Sequence, residues 1–317
     1  MRLALIALFS AWCFAAHAWP TKPVRIVVAY PPGGGIDVMA RQIAEKLTAG
    51  WGQPVVVENK PGANTILATD SVAKSPADGH TILMTTDATF SINPHLYAKL
   101  PFDTQRDFIP VTMLVLLQQL LVAHPALPAN TLQELISLAK QKPGSINYAS
   151  YGSGSQPHLS GEMLKNKAGI DLVHVPYKGI SLAVPAVMAG EVQLTFAGIA
   201  TSMPQLKAGR IKAIAIGGTQ RSPLLPQVPT FRELGYPEVE THAWFGLFLP
   251  VGSPPDAIAR IHRDTKTIIE EPDFRQKQLI DKGYEVVGSS PEEFVAYIRR
   301  DSESRGRAVK ISGAKAE

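Results

Sequence analysis

The chain has 317 residues, 45% of them hydrophobic, and its 31 Lys and Arg against 27 Asp and Glu give a formal net charge of +4. This length is sufficient to bury a large core and fits two domains better than one. The positive excess is spread thinly, without a long run of Lys or Arg, which argues against a nucleic-acid partner.

The N-terminal segment, residues 1–18, has the pattern of a secretory signal. Arg2 precedes an apolar stretch that ends at Ala16-His17-Ala18, which matches an A-x-A cleavage site. We therefore predict that the signal peptide is cleaved after Ala18 and that the protein is exported. The one cysteine, Cys13, leaves with the signal, so the mature chain is expected to have no disulfide and no cysteine metal site.

Strand and helix patterns alternate in the first part of the mature chain, which predicts an α/β fold with mainly parallel sheets. Apolar residues recur at helical spacing from Ile36 to Leu47 and indicate the buried face of the first helix. The predicted strands are Val24–Tyr30, Val55–Glu58 and Thr81–Thr85, and the helices between them are Asp37–Leu47 and Thr65–Lys74.

A long apolar stretch, Ile109–Ala123, reads as a strand that crosses into another layer, and a second α/β series follows it. Thr131 and Glu134 are spaced as a capping box for the first helix of this series. The predicted helices are Leu132–Gln141, His158–Ala168, Leu182–Ala189 and Ser202–Ala208, and the strands are Ile146–Ser150, Leu172–Pro176, Val192–Phe196 and Ile211–Ile216.

A second apolar crossing strand is predicted after a proline-rich loop, and the two crossing strands bracket a complete α/β unit. This pattern suits two lobes joined by two connections, and we predict lobe 1 from residues 19–121 and 245–317 and lobe 2 from residues 122–244. The remaining predicted elements are a short helix at Thr230–Leu234, the crossing strand Trp244–Leu249, helices Pro255–Glu270 and Pro272–Lys282, strand Tyr284–Val287, and a last helix that opens at Ser290 and frays after Val309.

A glycine-rich turn joins the first strand to the first helix. Gly33, Gly34 and Gly35 allow backbone N–H groups to converge, and the following helix presents its N-terminal N–H groups and partial positive charge at the same place. This arrangement favours an anion. Many α/β proteins use such a turn without binding anything there, so a purely structural role is the alternative.

The middle series contains a second unit of this kind. Gly152 and Gly154 open the backbone, while Ser153 and Ser155 add hydroxyl donors. These serines could instead serve only as helix caps and turn formers. On opposite lobes, however, the two loops would face each other across a cleft, at the strand ends where parallel-sheet proteins bind ligands.

Two further strand ends are candidates for ligand contact. Thr85–Thr89 carries hydroxyl groups and Asp87, which could attract an ammonium group, although such residues often only cap a turn. Ala197 and Gly198 are small enough to admit a ligand beside their strand.

Signatures of enzymes are weak in this chain. The serines at 153 and 155 do not lie in G-x-S-x-G, and the glycines at 33–35 form neither a Rossmann nor a P-loop pattern. The histidines have no metal-ligand spacing. We therefore predict no catalytic residue, no cofactor and no metal, with a secreted serine hydrolase assembled only in space as the less favoured alternative.

Several stretches together resemble the Bug-type periplasmic substrate-binding proteins of tripartite tricarboxylate transporters. The resemblance runs through the whole mature sequence and rests on the order and number of the matches. The matching stretches are Val27–Arg41, Gly52–Ala63, Ile92–Tyr97, Lys142–Gly161, Val173–Gly179, Ser222–Leu234 and Trp244–Pro250.

This resemblance implies a type 2 periplasmic-binding-protein (Venus flytrap) fold, with the two crossing strands as hinge. It also implies a monomeric periplasmic receptor that holds a small carboxylate through backbone N–H groups and ordered water and delivers it to a two-component membrane permease. A sensor that passes the same ligand to a signalling receptor stays open as an alternative. The implied ligand-binding residues are Tyr30, Pro31, Gly33, Gly34, Gly35, Asp37, Thr86, Asp87, Gly152, Ser153, Gly154, Ser155, His158, Gly198 and Thr201.

Two positions depart from the family pattern. Ile36 stands where the family usually has a small polar residue, and Ala197-Gly198 stands where many members have Asp-Asn. The second departure counts against a straightforward amino-acid ligand, whereas Asp87 points the other way. The ligand therefore stays open between a mono- and a dicarboxylate, with an aromatic or branched acid favoured by the apolar Ile36.

Overall fold

The computed structural model describes residues 19–239 and 241–314, and the predicted signal peptide lies outside these ranges. In the first part of the chain β1 lies between β2 and β3 and is parallel to both. The elements of this part are β1 (Val24–Val28), α1 (Gly35–Trp51), β2 (Val55–Asn59), α2 (Ile66–Ala73), β3 (Thr81–Thr86), a π-helical segment (Ala88–Ile92) and α3 (Asn93–Leu96).

Two long strands connect the halves of the molecule, β4 (Phe108–Ala123) and β9 (His242–Pro250). They pair with each other in antiparallel register from Phe108 opposite Pro250 to Gln118 opposite His242. The strand order β2-β1-β3-β9-β4, followed by β7 (Leu194–Gly198), β5 (Asn147–Ser150) and β6 (Val173–Pro176), places this pair in the middle. The two apolar stretches predicted as crossing strands therefore do connect the two series.

The second series folds around β5, which is parallel to both β6 and β7. The far end of β4 pairs antiparallel with β7 and β8. The sheet is thus mixed, and the prediction of mainly parallel pairing is right only away from the crossing strands. The elements are α4 (Leu132–Gln141), β5 (Asn147–Ser150), α5 (Gln156–Ala168), β6 (Val173–Pro176), α6 (Ile180–Ala189), β7 (Leu194–Gly198), α7 (Ile199–Lys207) and β8 (Lys212–Ile216).

The C-terminal part returns to the first half. After β9 come α8 (Pro255–Glu270), α9 (Pro272–Phe274), a π-helical segment (Arg275–Leu279), a 3-10 turn (Ile280–Lys282), β10 (Tyr284–Val286) and α10 (Pro291–Ser312). Strand β10 pairs with β4, and the Ser290–Glu293 capping box opens α10. The first half is built on buried apolar residues of β1, α1, β4 and β9, and the second on those of β5, α4, α5 and β7.

Several predicted limits differ from the structure; α1, for example, begins at Gly35 and ends at Trp51, where Asp37 and Leu47 were predicted. The segment Pro272–Lys282 is not one helix, because its hydrogen-bond register changes twice, and no glycine or proline inside it signals the change. Thr230–Leu234 makes a single helical turn that stops at Gly235, whose φ is 87°. Helix α10 continues to Ser312, where a frayed tail was expected after Val309.

Candidate functional site

A cavity lies where strand ends of the two halves meet. The space inside it that water can occupy is about 70 Å³, several times what one buried water needs. The predicted site residues that line it are Tyr30, Pro31, Gly34, Gly35, Thr86, Asp87, Gly198 and Thr201. The lining residues that sequence reasoning missed as binding residues are Ile36, Ala88, Leu117, Gln119, Tyr151, Gln156, Ile180, Ser181, Ala200, Ala243, Phe245 and Tyr284.

Four helices begin at this cavity: α1, α5, α6 and α7. Residues from the first turn of each helix line it, namely Gly35, Gln156, Ile180 and Ala200. Within the described chain, no side-chain cap bonds the start of any of the four. The first N–H groups of a helix have no partner inside the helix and carry partial positive charge. The N–H groups and partial positive charge at this cavity therefore favour binding of an anion.

The first loop is shaped by Asp37, which is 3% exposed. The Gly33 N–H donates to Asp37 Oδ2 at 2.9 Å, and Asn59 Nδ2 donates to Oδ1 at 2.8 Å. Arg41 Nη2 lies 3.0 Å from Oδ1. Burial opposes ionisation, but the hydrogen bonds from Arg41, Gly33 and Asn59 outweigh it and lower the pKa of Asp37.

Gly33 and Asp37, both predicted as ligand-binding residues, do not line the cavity in this structure. Gly33 has a φ of 86°, a left-handed conformation that glycine adopts freely. Its N–H is committed to the Asp37 carboxylate. The two residues hold the loop so that Gly34, Gly35 and Ile36 face the cavity instead.

The second loop contributes different residues from those predicted. The residues Gly152, Ser153, Gly154, Ser155 and His158 are absent from the cavity lining, to which this segment contributes Tyr151 and Gln156 instead. The Gly154 N–H donates to His158 Nδ1 at 2.9 Å, and the His158 ring stacks on His174 with centroids 3.9 Å apart. Ser155 stands at the N-cap of α5 without a side-chain cap bond.

Within this loop, Gly154 packs against the first half of the molecule. A Cβ at Gly154 would overlap the Leu96 side chain of the first half, and the φ of 79° favours glycine. Gly154 is therefore needed for close packing between the halves. The glycine at 154 thus has a packing role, and ligand binding by the glycines and serines of this loop stays a prediction.

Hydroxyl groups from both halves meet on one wall of the cavity. The Tyr30 hydroxyl lies 2.9 Å from Thr86 Oγ1, and Gln119 Nε2 donates to the Tyr151 hydroxyl at 2.5 Å. The Tyr30 and Tyr151 rings meet edge to face with centroids 6.4 Å apart. Burial raises the pKa of both phenols, so they stay neutral and serve as hydrogen-bonding groups.

Asp87 is the carboxyl group of this wall, and it is 1% exposed. Its Oδ2 lies 3.6 Å from Arg305 Nη2, and Arg305 Nε lies 3.4 Å from Asp301 Oδ1. Burial raises the pKa of Asp87 to about 7, because Arg305 compensates only in part and the Asp301 charge adds to the shift. Arg305 lowers the pKa of Asp301.

The remaining walls are mainly apolar. Leu117 and Gln119 come from β4, Phe245 from β9, and Tyr284 from β10. Gln119 could have been found from the sequence, because it is a polar residue within a long apolar strand. Phe245 and Tyr284 could not, since their position depends on strand pairing between distant parts of the chain.

Metal and membrane chemistry find no support in the residues described. In this part of the chain, no cluster of His, Cys, Asp and Glu could hold a metal ion. None of its helices combines the length and the apolar character that crossing a bilayer requires.

Comparison with known proteins decides the family. The model of the tripartite tricarboxylate transporter family receptor matches residues 39–313. The chain belongs to this receptor family. Bordetella pertussis BugT is 32% identical over 323 residues, which cover 99% of this chain and 98% of BugT.

Solved structures of similar proteins have the same fold as this family receptor. An R. palustris protein solved with adipate has a TM-score of 0.90 and 32% identity, covering 94% of this chain and 99% of its own. MatC from Rhodopseudomonas palustris, solved with bound malate, has a TM-score of 0.85 and 31% identity, covering 93% of this chain and 100% of its own. The predicted periplasmic-binding-protein fold is thereby confirmed.

Proposed function

We propose that this receptor captures a small organic acid in the cavity between its halves and delivers it to a two-component membrane permease from the periplasm. The observation that carries the proposal is the convergence of four helix N-termini without side-chain caps among the described residues. The adipate and malate bound to structural neighbours support a carboxylate as the ligand. The exported location follows the signal pattern of residues 1–18.

The carboxylate would be held by backbone N–H groups rather than by a cationic side chain. The start of α1 supplies those of Gly34, Gly35 and Ile36. A hydrogen bond to a charged group contributes about 1.5–3 kcal/mol. Several such bonds support binding of about −8 kcal/mol, which corresponds to about micromolar affinity, after ordering costs.

Capture would involve closure of the two lobes about β4 and β9, with lobe 1 formed by residues 19–121 and 245–317 and lobe 2 by residues 122–244. The close approach of the proposed lobes supports this: a Cβ added at Gly179 would lie 3.0 Å from Pro31 Cδ, and one added at Gly34 would lie 3.4 Å from Ile180 Cγ2. Opening of the lobes would separate these residues. The receptor would act as a monomer, without cofactor or catalysis.

Gly34→Val tests the N–H cradle. Gly34 has φ −77° and ψ 164°, a conformation that valine adopts, so the variant should fold. Its side chain would occupy the anion position and meet Ile180. We expect at least a tenfold loss of affinity for whichever acid of a mono- and dicarboxylate panel binds the wild type, measured by titration calorimetry.

Gly50→Val is the matched control for this test. Gly50 lies in the last turns of the same helix, and no atom lies within 4 Å of an added Cβ. This control should keep wild-type affinity. Unchanged affinity in Gly34→Val, with both variants folded, would contradict a carboxylate held on the α1 N-terminus.

A further inference from the structure

Two residues that line the cavity each have a buried oxygen atom that accepts no hydrogen bond from the described residues, namely Asp87 Oδ2 and Gln119 Oε1. Both residues are 1% exposed. A buried acceptor without a donor costs about 1–3 kcal/mol. The carboxylate proposed for the helix N-termini cannot supply this donor, because an ionised carboxylate only accepts. A ligand that also carries N–H or O–H groups would supply the donors that these oxygens lack.

The charge at this wall favours a cationic donor. Among the described residues that line the cavity there is no Lys, Arg or His, and Asp87 is the one carboxyl group. Arg305 serves two carboxyls, at 3.6 Å from Asp87 and 3.4 Å from Asp301, and it also donates to the His242 carbonyl at 2.7 Å. With all three ionised, the cluster carries a net negative charge that an ammonium group would neutralise and a second carboxylate would increase.

We propose that the ligand is a small apolar amino acid whose carboxylate lies on the helix N-termini and whose ammonium group lies on Asp87. This inference rests on the proposed function. In this proposal, Asp87 is the residue that makes the receptor select amino acids over carboxylic acids that lack an amino group. Gln119 Oε1 accepts a second ammonium hydrogen.

The rest of the cavity fits the apolar part of such a ligand. Ile36, Leu117 and Phe245 bring aliphatic and aromatic surface to it from three different elements. A branched aliphatic or aromatic side chain gains about 25 cal/mol for each Å² it removes from water there. A second polar or charged end would lose this contribution and would find no cationic partner among the described lining residues.

Binding of an ammonium group should release a proton from Asp87. The titratable and charged groups near it are Tyr30 and Tyr151 from the strand ends and Arg305 and Asp301 from α10, with His242 of β9 at 3.7 Å from Asp301. The pKa of Asp87 is raised to about 7, so at pH 6 most of the carboxyl is protonated before binding. An adjacent ammonium favours the ionised form and displaces this proton.

Titration calorimetry with matched pairs tests the inference. The pairs are leucine with 4-methylpentanoate and phenylalanine with 3-phenylpropanoate, which differ by the amino group alone, and malate and adipate complete the set. We expect at least one amino acid to bind tenfold or more tighter than its partner. At pH 6, in buffers of different ionisation enthalpy, its binding should release close to one proton, and that of its partner none.

Asp87→Asn should abolish both the preference and the proton release. Far-UV circular dichroism and a single cooperative unfolding transition like that of the wild type should show that the variant is folded. Asp273→Asn, which changes an exposed carboxylate with 79% side-chain exposure, is the matched control and should behave as the wild type.

The outcomes separate this inference from the proposed function. Equal or tighter binding of the deaminated acids, binding of malate or adipate alone, or proton release that persists in Asp87→Asn would overturn the amino-acid ligand and leave the carboxylate receptor standing. Failure of every acid in the wider carboxylate panel would overturn the receptor proposal and this inference with it.

Discussion

Two buried carboxyl groups near the cavity have opposite environments. Asp37 receives hydrogen bonds from the Gly33 N–H, Asn59 and Arg41, which lower its pKa. Asp87 shares one guanidinium with Asp301, and burial raises its pKa to about 7. The sequence marks both residues as candidates, but the assignment of Asp37 to the loop and Asp87 to the cavity depends on partners distant in the chain.

Asp87→Asn should change the pH dependence of stability. An unfolded Asp loses its proton near pH 4, whereas the folded protein keeps the Asp87 proton up to about pH 7. Between these values the folded state binds more protons, so the wild type loses stability as pH rises. Urea unfolding from pH 4 to 8 should show that the free energy of unfolding of Asp87→Asn rises relative to that of the wild type as the pH rises. This relative increase should be a few kcal/mol at most and should stop near pH 7. Parallel stability curves would contradict the raised pKa.

At the scale of elements, the order of helices and strands follows from local patterns. Helices α4 and α8 have the predicted limits because capping residues and prolines mark their starts. The π-helical segment Ala88–Ile92 has no local signature, although it follows the cavity residue Asp87. The packing of Gly154 against Leu96 has no local signature either, because Leu96 belongs to the other half of the molecule.

Gly35→Ala tests how closely the start of α1 fits the opposite wall. A Cβ at Gly35 would lie 2.5 Å from the Tyr284 hydroxyl, so Tyr284 must move from its position in the cavity wall. We expect at least a tenfold loss of ligand affinity by calorimetry, although alanine favours a helix by up to about 1 kcal/mol. Gly50→Ala, in the same helix with open space around it, should bind normally. Equal affinities of both variants would show that Tyr284 does not shape the site.

The whole molecule is organised by its two crossing strands. Strand β4 pairs with β9 and β10 in one half and with β7 and β8 in the other, and residues of β4 and β9 line the cavity. The sequence predicts this two-part layout from two apolar stretches that bracket an α/β series. It cannot predict which side chains of these strands meet at the cavity, because that depends on the register between segments over a hundred residues apart.

The last helix adds a connection between the cavity and a crossing strand. From α10, Arg305 reaches Asp87 at the cavity wall and the His242 carbonyl at the start of β9. Trp244 of β9 donates to Asp301 of the same helix at 2.9 Å. A ligand group placed on Asp87 would therefore act on a network that includes a proposed hinge strand.

A crystal structure of the receptor with the acid that binds most tightly tests the central claim most directly. We predict both carboxylate oxygens within about 2.7–3.2 Å of backbone N–H groups, with at least one from the start of α1 and one from a helix of the second series. A carboxylate held by an Arg or Lys side chain, or located outside this cavity, would contradict the account.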